Sequence, residues 1–321
     1  MQSPEHNRFT VQEFFDDAPV PSTSIGSSVQ AFIRKHTPAD GFKGRPIVCV
    51  TSGGTTVPLE RRCIRFIDNF SGGTRGALSV EQFLQAGYAV IFVYRKGSIQ
   101  PFTKGLPSAQ LLDILTDVLV DDDKHGKGVH VKDEASAILQ TAVRKARECN
   151  EQGTLLRIPY ITLFEYLQYL RTISDSIRPC GKQAAFYLAA AVSDFFLPWK
   201  QMVEHKIQSS DGPLQLQLAM VPKMLGTLRS TWAPEAFIVS FKLETDEQIL
   251  KSKAIGSIRN YNVHAVVANI LETRMKQVLI VRTNLEGQSV IDTINREESQ
   301  TFIEKQLVSK ITELHAAHYG A

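Results

Sequence analysis

The sequence predicts an α/β fold: an open, mostly parallel sheet with helices on both faces. Three observations predict it. Short uninterrupted apolar runs recur, such as Ile47-Val48-Cys49-Val50 and Ala265-Val266-Val267-Ala268, the pattern of strands buried on both faces. Segments of helical spacing separate these runs, and strand, helix and strand in that order build a right-handed crossover. Small or polar residues end the runs. The arrangement is Rossmann-like, with an N-terminal arm over residues 1–44 and a C-terminal β-hairpin added to one body over 45–321.

Along the chain, the arm is polar, with Pro19, Pro21 and several serines. Phe14-Phe15 and the run 29–33 predict short helical pieces that pack on the body or on a partner. The first strand lies at 45–51 and stops at Ser52-Gly53-Gly54. A helix over 76–86 ends at Gly87, a common residue just past a helix. A second strand follows at 88–94. Residues 97–132 look irregular, with an insertion over 104–132 that carries Asp121-Asp122-Asp123 beside Lys124 and His125. Three adjacent carboxylates there read as a solvated loop rather than a metal site. Helices are predicted at 133–152, 160–175 and 246–260. Strands are predicted at 155–159, 186–192 (ending at Ser193-Asp194), 237–241 and 265–269. A hairpin pairs 277–282 with 288–293 around Gly287, Val221-Pro222-Lys223 opens a short helix, and a helix over 297–316 closes the chain.

Composition narrows the function. Hydrophobic residues are 43% and charged residues 21% of 321, with a net charge of +3, an ordinary globular balance. The positive excess is too small and too scattered for a nucleic-acid face. Cys49, Cys63, Cys149 and Cys180 form no Cys-x-x-Cys pair, which argues against zinc and dithiol redox chemistry and fits a reducing compartment. Cys49 sits in an apolar strand and reads as a core thiol. The segment Met1–His6 is polar, and no apolar run approaches the ~20 residues of a membrane span. The expected location is cytoplasmic.

In such sheets ligands bind beyond the carboxyl ends of the strands. Ser52-Gly53-Gly54-Thr55, Ser193-Asp194, Phe241 to Thr245 and Asn269 are therefore the informative residues. A stronger segment is Arg65-Phe66-Ile67-Asp68-Asn69-Phe70-Ser71-Gly72-Gly73-Thr74-Arg75-Gly76, which runs directly into a helix. A helix N-terminus offers unpaired N–H groups and partial positive charge to an anion. Gly72, Gly73 and Gly76 let a loop wrap a phosphate, and Ser71 adds a hydroxyl. Ser71 lies 17 positions after Gly54, unlike the dinucleotide fingerprint that begins right after the first strand. The extra chain makes room for a second substrate near Asn69 and Arg65. The second strand ends in Tyr94-Arg95-Lys96, without the acid an NAD ribose wants, so an NADP- or flavin-dependent oxidoreductase stays open as the alternative. A non-catalytic nucleotide-binding subunit is a third reading. Lys206, beside His205 on a predicted loop, suits a clamp over phosphates.

Together Thr51 to Thr55, Asp68 to Gly73, Ala189-Ala190-Ala191-Val192-Ser193-Asp194, His205-Lys206-Ile207, Ser240 to Thr245 and Val267-Ala268-Asn269 closely resemble the phosphopantothenoylcysteine synthetases of the eukaryotic, single-function type. The resemblance runs from about residue 45 to about 315 and is weak over 1–44 and 104–155. It implies a ligase of coenzyme A synthesis. ATP, with Mg²⁺, activates the carboxylate of 4′-phosphopantothenate as an acyl-adenylate, and the amine of cysteine then attacks. It implies a homodimer. It places the nucleotide at Gly53, Ser71, Gly73, Gly76, Phe241 and Asn269. It places phosphopantothenate at Asn69, Ala190, Ala191 and Asp194, with Arg65 arriving from the other protomer. Asn69 would steady charge on the acyl carbonyl, a contribution of ~3 kcal/mol, and Lys206 would act as the lid. Gly72 stands where the family usually has a serine, and Gln208-Ser209 stands where bacterial relatives carry further lysines, a departure that favours ATP over CTP. The chain also lacks a fused flavin-binding decarboxylase half, so it is expected to perform the ligation alone.

Overall fold

Six parallel strands form the frame, and their order fixes where a ligand binds. The computed structural model describes residues 8–37, 44–106, 114–118, 128–209, 212–284 and 286–320. Two helices come first, α1 (Val11–Asp17) and α2 (Gly26–His36). The body opens with β1 (Ile47–Ser52), a small hairpin of β2 (Thr56–Pro58) and β3 (Phe66–Asp68), α3 (Thr74–Gln85) and β4 (Ala89–Arg95). A second hairpin, β5 (Leu115–Val118) and β6 (Gly128–Val131), precedes α4 (Asp133–Gln152) and β7 (Leu155–Tyr160). Next come α5 (Leu163–Ile177), β8 (Ala184–Leu188), and the short pair β9 (Phe195–Phe196) and β10 (Ala219–Met220). The chain closes with α6 (Met224–Thr227), β11 (Phe237–Glu244), α7 (Glu247–Tyr261), β12 (Ala265–Ile270), β13 (Gln277–Thr283), β14 (Ser289–Asn295) and α8 (Glu304–Tyr319).

The central sheet runs β14-β13-β12-β11-β8-β1-β4-β7. The six strands from β7 to β12 are parallel, and β13 and β14 extend the sheet antiparallel. In chain order the parallel strands read 3-2-1-4-5-6, the doubly wound Rossmann order. Its direction reverses between β1 and β8, so a crevice opens beyond their carboxyl ends.

Helices cover both faces, as the apolar strands require. One face packs α1, α2, α5 and α7 against Ile47, Cys49, Ile91, Phe186, Ile238 and Val266, while the other packs α3 and α8 against Val48, Val50, Phe92, Tyr187 and Val267. The arm belongs to the first of these cores from α1 onward. Thr10 caps α1 in a reciprocal box with Glu13. Phe14 is fully buried and meets Phe164 and Phe196 at ring-centroid distances of 5.6 and 5.0 Å. Asp17 accepts hydrogen bonds from the backbone N–H groups of Trp199 (2.6 Å) and Lys200 (3.1 Å).

Four sequence expectations need correction. The region 97–132 is not irregular throughout, because β5 and β6 pair antiparallel within it; Asp121 to Lys127 lie outside the described residues. The helix expected over 160–175 begins at Leu163. Tyr160 ends β7 instead, its hydroxyl donating to the Ser52 carbonyl at 2.8 Å, and Thr162 is the cap. The strand expected over 186–192 stops at Leu188, because the next residues turn to bond the end of β1. The last helix starts at Glu304 rather than 297, since β14 continues to Asn295 and a turn closes from the Gln300 N–H to the Glu297 carbonyl. Apolar content gave the right element in the last three, while turn chemistry set its ends.

Candidate functional site

A cleft of about 640 Å³ opens where the strand order reverses, walled by Ser71 to Arg75 on one side and Ala189 to Asp194 on the other. The first wall is the N-terminus of α3, whose opening N–H groups have no partner within the helix. Gly73 caps it in a left-handed conformation (φ 80°). The second wall is fastened to the end of β1. Ala191 N–H donates to the Gly53 carbonyl at 2.8 Å, and Thr55 N–H returns a bond to the Ala191 carbonyl at 3.1 Å. The buried hydroxyls of Thr51 and Thr55 accept from the N–H groups of Ala190 (3.2 Å) and Ser193 (3.0 Å). Sequence reasoning gave no such role to these threonines. The sequence shows only that one threonine closes and another follows the apolar run Ile47 to Val50. Phe241 and Asn269 line the cleft from β11 and β12.

The glycines shape the site from behind. A Cβ on Gly54 would fall 1.5 Å from the Asn69 carbonyl oxygen, and one on Gly76 would fall 2.4 Å from the Ser52 side chain. Gly54 therefore lets the chain carrying Asn69 lie against the end of β1, and Gly76 lets α3 sit on β1. A Cβ on Gly53 would fall 2.6 Å from the Arg95 side chain, and Gly53 is not among the residues that line the cleft. Of the expected site residues, Ser71, Gly73, Ala190, Ala191, Asp194, Phe241 and Asn269 line the cleft, while Gly53 and Gly76 hold its frame.

Asn69, Arg65 and Lys206 are not among the residues that line the cleft. Asn69 is half-buried at the end of the β2–β3 hairpin, its N–H bonded to the Thr55 carbonyl at 3.1 Å. The Arg65 guanidinium donates to Glu60 at 2.8 Å and to the Ile207 carbonyl at 3.1 Å. Glu60 is buried and also accepts from the N–H groups of Arg65 and Ile207. Burial raises this carboxyl, but those bonds outweigh it and hold its pKa below the ordinary value. Glu60 thus ties the hairpin to the segment carrying Lys206, which is exposed.

The cleft is cationic. Arg75, Lys223, Lys242 and Arg274 line it against the single carboxylate Asp194, among the described residues. Lys223 Nζ is 3.6 Å from the Asp194 carboxylate. None of these four cations was singled out from sequence as a ligand group. Arg95, the residue that kept an NADP reading open, is already paired with Asp68 at 2.7 Å. No cluster of three His, Cys, Asp or Glu side chains suited to a metal occurs among the described residues. Nor does any described helix have the length and apolarity to cross a membrane.

Known proteins match this arrangement. Residues 172–314 match the family described as the DNA/pantothenate metabolism flavoprotein C-terminal domain. A protein of Oryza sativa subsp. japonica named phosphopantothenate–cysteine ligase 2 is 45% identical over 311 residues, covering 96% of this chain and 93% of that protein. The chain belongs to the phosphopantothenate–cysteine ligase family. The phosphopantothenate–cysteine ligase of Homo sapiens is 43% identical over 282 residues, covering 87% of this chain and 89% of the human one. A solved structure of a Cab2 mutant in complex with phosphopantothenate-cysteine superposes with a TM-score of 0.83 at 35% identity, over 96% of this chain and 98% of that one. Family membership makes this chain a ligase and disfavours the oxidoreductase reading that Arg95 had left open.

Proposed function

We propose that this ligase joins 4′-phosphopantothenate to cysteine by way of an acyl-adenylate formed from ATP. The observation that carries the reading is the cationic cleft at the strand-order reversal, where the N-terminus of α3 faces the backbone of Ala190 to Asp194. A substrate carboxylate oxygen attacks the α-phosphorus of ATP, and pyrophosphate leaves. The cysteine nitrogen then attacks the acyl carbon, AMP leaves, and the surplus amine proton passes to water. Ser71, Gly73 and the first N–H groups of α3 receive phosphate oxygens, Phe241 packs on the base or ribose, and Asn269 borders the nucleotide. Asn69 steadies charge developing on the acyl carbonyl. Ala190, Ala191 and Asp194 receive phosphopantothenate, and Lys206 closes over the phosphates. Donors and cations are what such a reaction needs. Mg²⁺ fits as a companion of the nucleotide, because it uses one or two carboxylates and substrate phosphates, and Asp194 is the one carboxylate lining the cleft among the described residues. Bound there, it would neutralise polyphosphate charge.

The reading includes a homodimer in which Arg65 acts on the partner's site. Phe66 (51% exposed) and Phe70 (92% exposed) flank Arg65 and Asn69, an apolar surface suited to a subunit contact. Pyrophosphate release that requires both phosphopantothenate and ATP tests the chemistry; release without phosphopantothenate, or none under any mixture, refutes it. CTP is expected to be the poorer nucleotide. An Arg65→Ala chain and an Asn69→Ala chain are each expected to be nearly inactive. Mixed one to one with subunit exchange verified, they are expected to recover about one quarter of wild-type activity, since half the dimers are mixed and hold one intact site each. No recovery refutes the shared site.

A further inference from the structure

Arg75 is the second residue of α3, in the turn where the helix's positive pole disfavours a cation. Its side chain nevertheless lines the cleft and is 15% exposed. Its guanidinium donates to Glu304 Oε1 at 2.7 Å, to Asn269 Oδ1 at 3.4 Å and to the Arg274 carbonyl. Two of these partners are themselves held in place. Asn269 Nδ2 donates to the carbonyls of Val267 (3.1 Å) and Lys242 (3.3 Å), which aims its oxygen at Arg75. Glu304 is the first residue of α8 and is 1% exposed. Its Oε2 is buried with no hydrogen-bond partner.

A carboxylate buried for stability alone is a poor bargain, because desolvation offsets much of the attraction and an unbonded oxygen adds to the cost. Burial raises the Glu304 carboxyl, and Arg75 lowers it only in part. Such an arrangement is better explained as a fixture that holds a guanidinium against the local helix field. A guanidinium has five N–H donors in a rigid planar fork. Three bonds to Glu304, Asn269 and Arg274 fix its plane and leave N–H groups for the cleft, beside the phosphate-binding turn at Ser71 to Gly73.

We infer that Arg75 is a ligand of the nucleotide's polyphosphate chain, and that Glu304 is the positioning residue that aims it. Arg75 recognises phosphate and not base, so ATP and CTP depend on it alike. The inference rests on the proposed nucleotide-dependent ligation, and it brings α8, which lies far along the chain, into the nucleotide site.

Calorimetric titration of the full-length protein with ATP, AMP and inorganic tripolyphosphate, joined to steady-state kinetics, tests it. Arg75→Ala is expected to weaken ATP and tripolyphosphate at least 30-fold and AMP less than threefold. Arg75→Lys keeps the charge and loses the fork, and is expected to lie between. Glu304→Gln, which preserves shape, is expected to raise KM for ATP and for CTP about tenfold by one common factor, with KM for cysteine unchanged. Wild-type binding of ATP with the Arg75 variants within twofold overturns the assignment and leaves the ligase reading standing. Equal rises in KM for ATP and cysteine in Glu304→Gln, with a lowered Tm, reduce Glu304 to a packing role and overturn its assignment. A wild-type protein that binds neither ATP nor tripolyphosphate overturns the nucleotide reading itself.

Discussion

The two edges of the central sheet treat polar groups in opposite ways. At the carboxyl edge the cleft gathers Arg75, Lys223, Lys242 and Arg274 with the N-terminus of α3, and Lys223 and Asp194 remain largely exposed. At the amino edge imidazoles close on internal partners. His315 Nε2 donates to the Lys182 carbonyl at 2.9 Å, and its Nδ1 lies 2.8 Å from the Tyr88 hydroxyl. His264 Nδ1 accepts from the Ile238 N–H at 3.0 Å. A ring nitrogen that accepts carries no proton, so the His264 ring is neutral by geometry. Burial pushes His264 down to about 3 and His315 to about 4, and the neighbouring His318 adds to both shifts. One edge keeps charge available for a ligand, and the other removes charge to stay packed.

Acid is expected to break this contrast most strongly. Both histidines titrate lower in the folded state than the ordinary 6.5. Their contribution is complete above pH 6.5 and is lost as pH falls toward 4, because the unfolded chain takes up protons that the folded chain refuses. At pH 5 each costs about 2 kcal/mol of stability. Glu304 has the opposite sign: burial raises it, so its cost at neutral pH is relieved as it protonates. Unfolding at pH 7.5 and at pH 5 measures the balance, and His315→Gln is expected to flatten the slope. A stability constant across that range contradicts the neutral packing of the amino edge.

The next effect isolates the other edge. In Gly54→Ala the new methyl meets the Asn69 carbonyl oxygen at 1.5 Å, so the loop must move. Overpacking of this kind costs about 1–3 kcal/mol. It is expected to lower kcat well beyond what the change in Tm explains, because Asn69 is displaced, while the acid sensitivity of the amino edge stays as in wild type. Unchanged kcat refutes the link between Gly54 and Asn69.

The same contrast explains what was legible in sequence. Strands such as Ile47–Ser52 and Ala265–Ile270 carry their identity in composition, since an apolar run buried on both faces has few alternatives. The turn at Ser71 to Gly73 stood out because glycines and a hydroxyl before a helix suit an anion, and the structure puts it on the cleft wall. Arg75 and Glu304 were not, because a long-range ion pair leaves no local pattern and each residue alone looks like an ordinary helix charge. Thr51 and Thr55 escaped for a related reason: the N–H groups they accept from lie more than a hundred residues away. The length of the crossover put Asn69 and Arg65 near a second substrate and resemblance gave them roles, while the structure sets them on a hairpin fastened through Glu60, an arrangement that spacing does not contain.

The smallest expected effect tests whether every polar group at the carboxyl edge serves the ligand. Thr162 follows β7 at that edge, yet its hydroxyl accepts from the Glu165 N–H at 3.2 Å, and Glu165 accepts from the Thr162 N–H at 3.0 Å. This capping box fixes the start of α5, which supplies Tyr166, Leu167 and Leu170 to the cleft from behind. Thr162→Ala removes the cap and costs about 1 kcal/mol, a fall in Tm of ~1–2 °C for a chain of this length. Because neither hydroxyl nor carboxylate lines the cleft, kcat and KM for ATP are expected to stay within twofold. A large loss of activity at unchanged Tm would put Thr162 in the site. The division between the two edges would then follow strand polarity alone, rather than which groups find partners inside the protein.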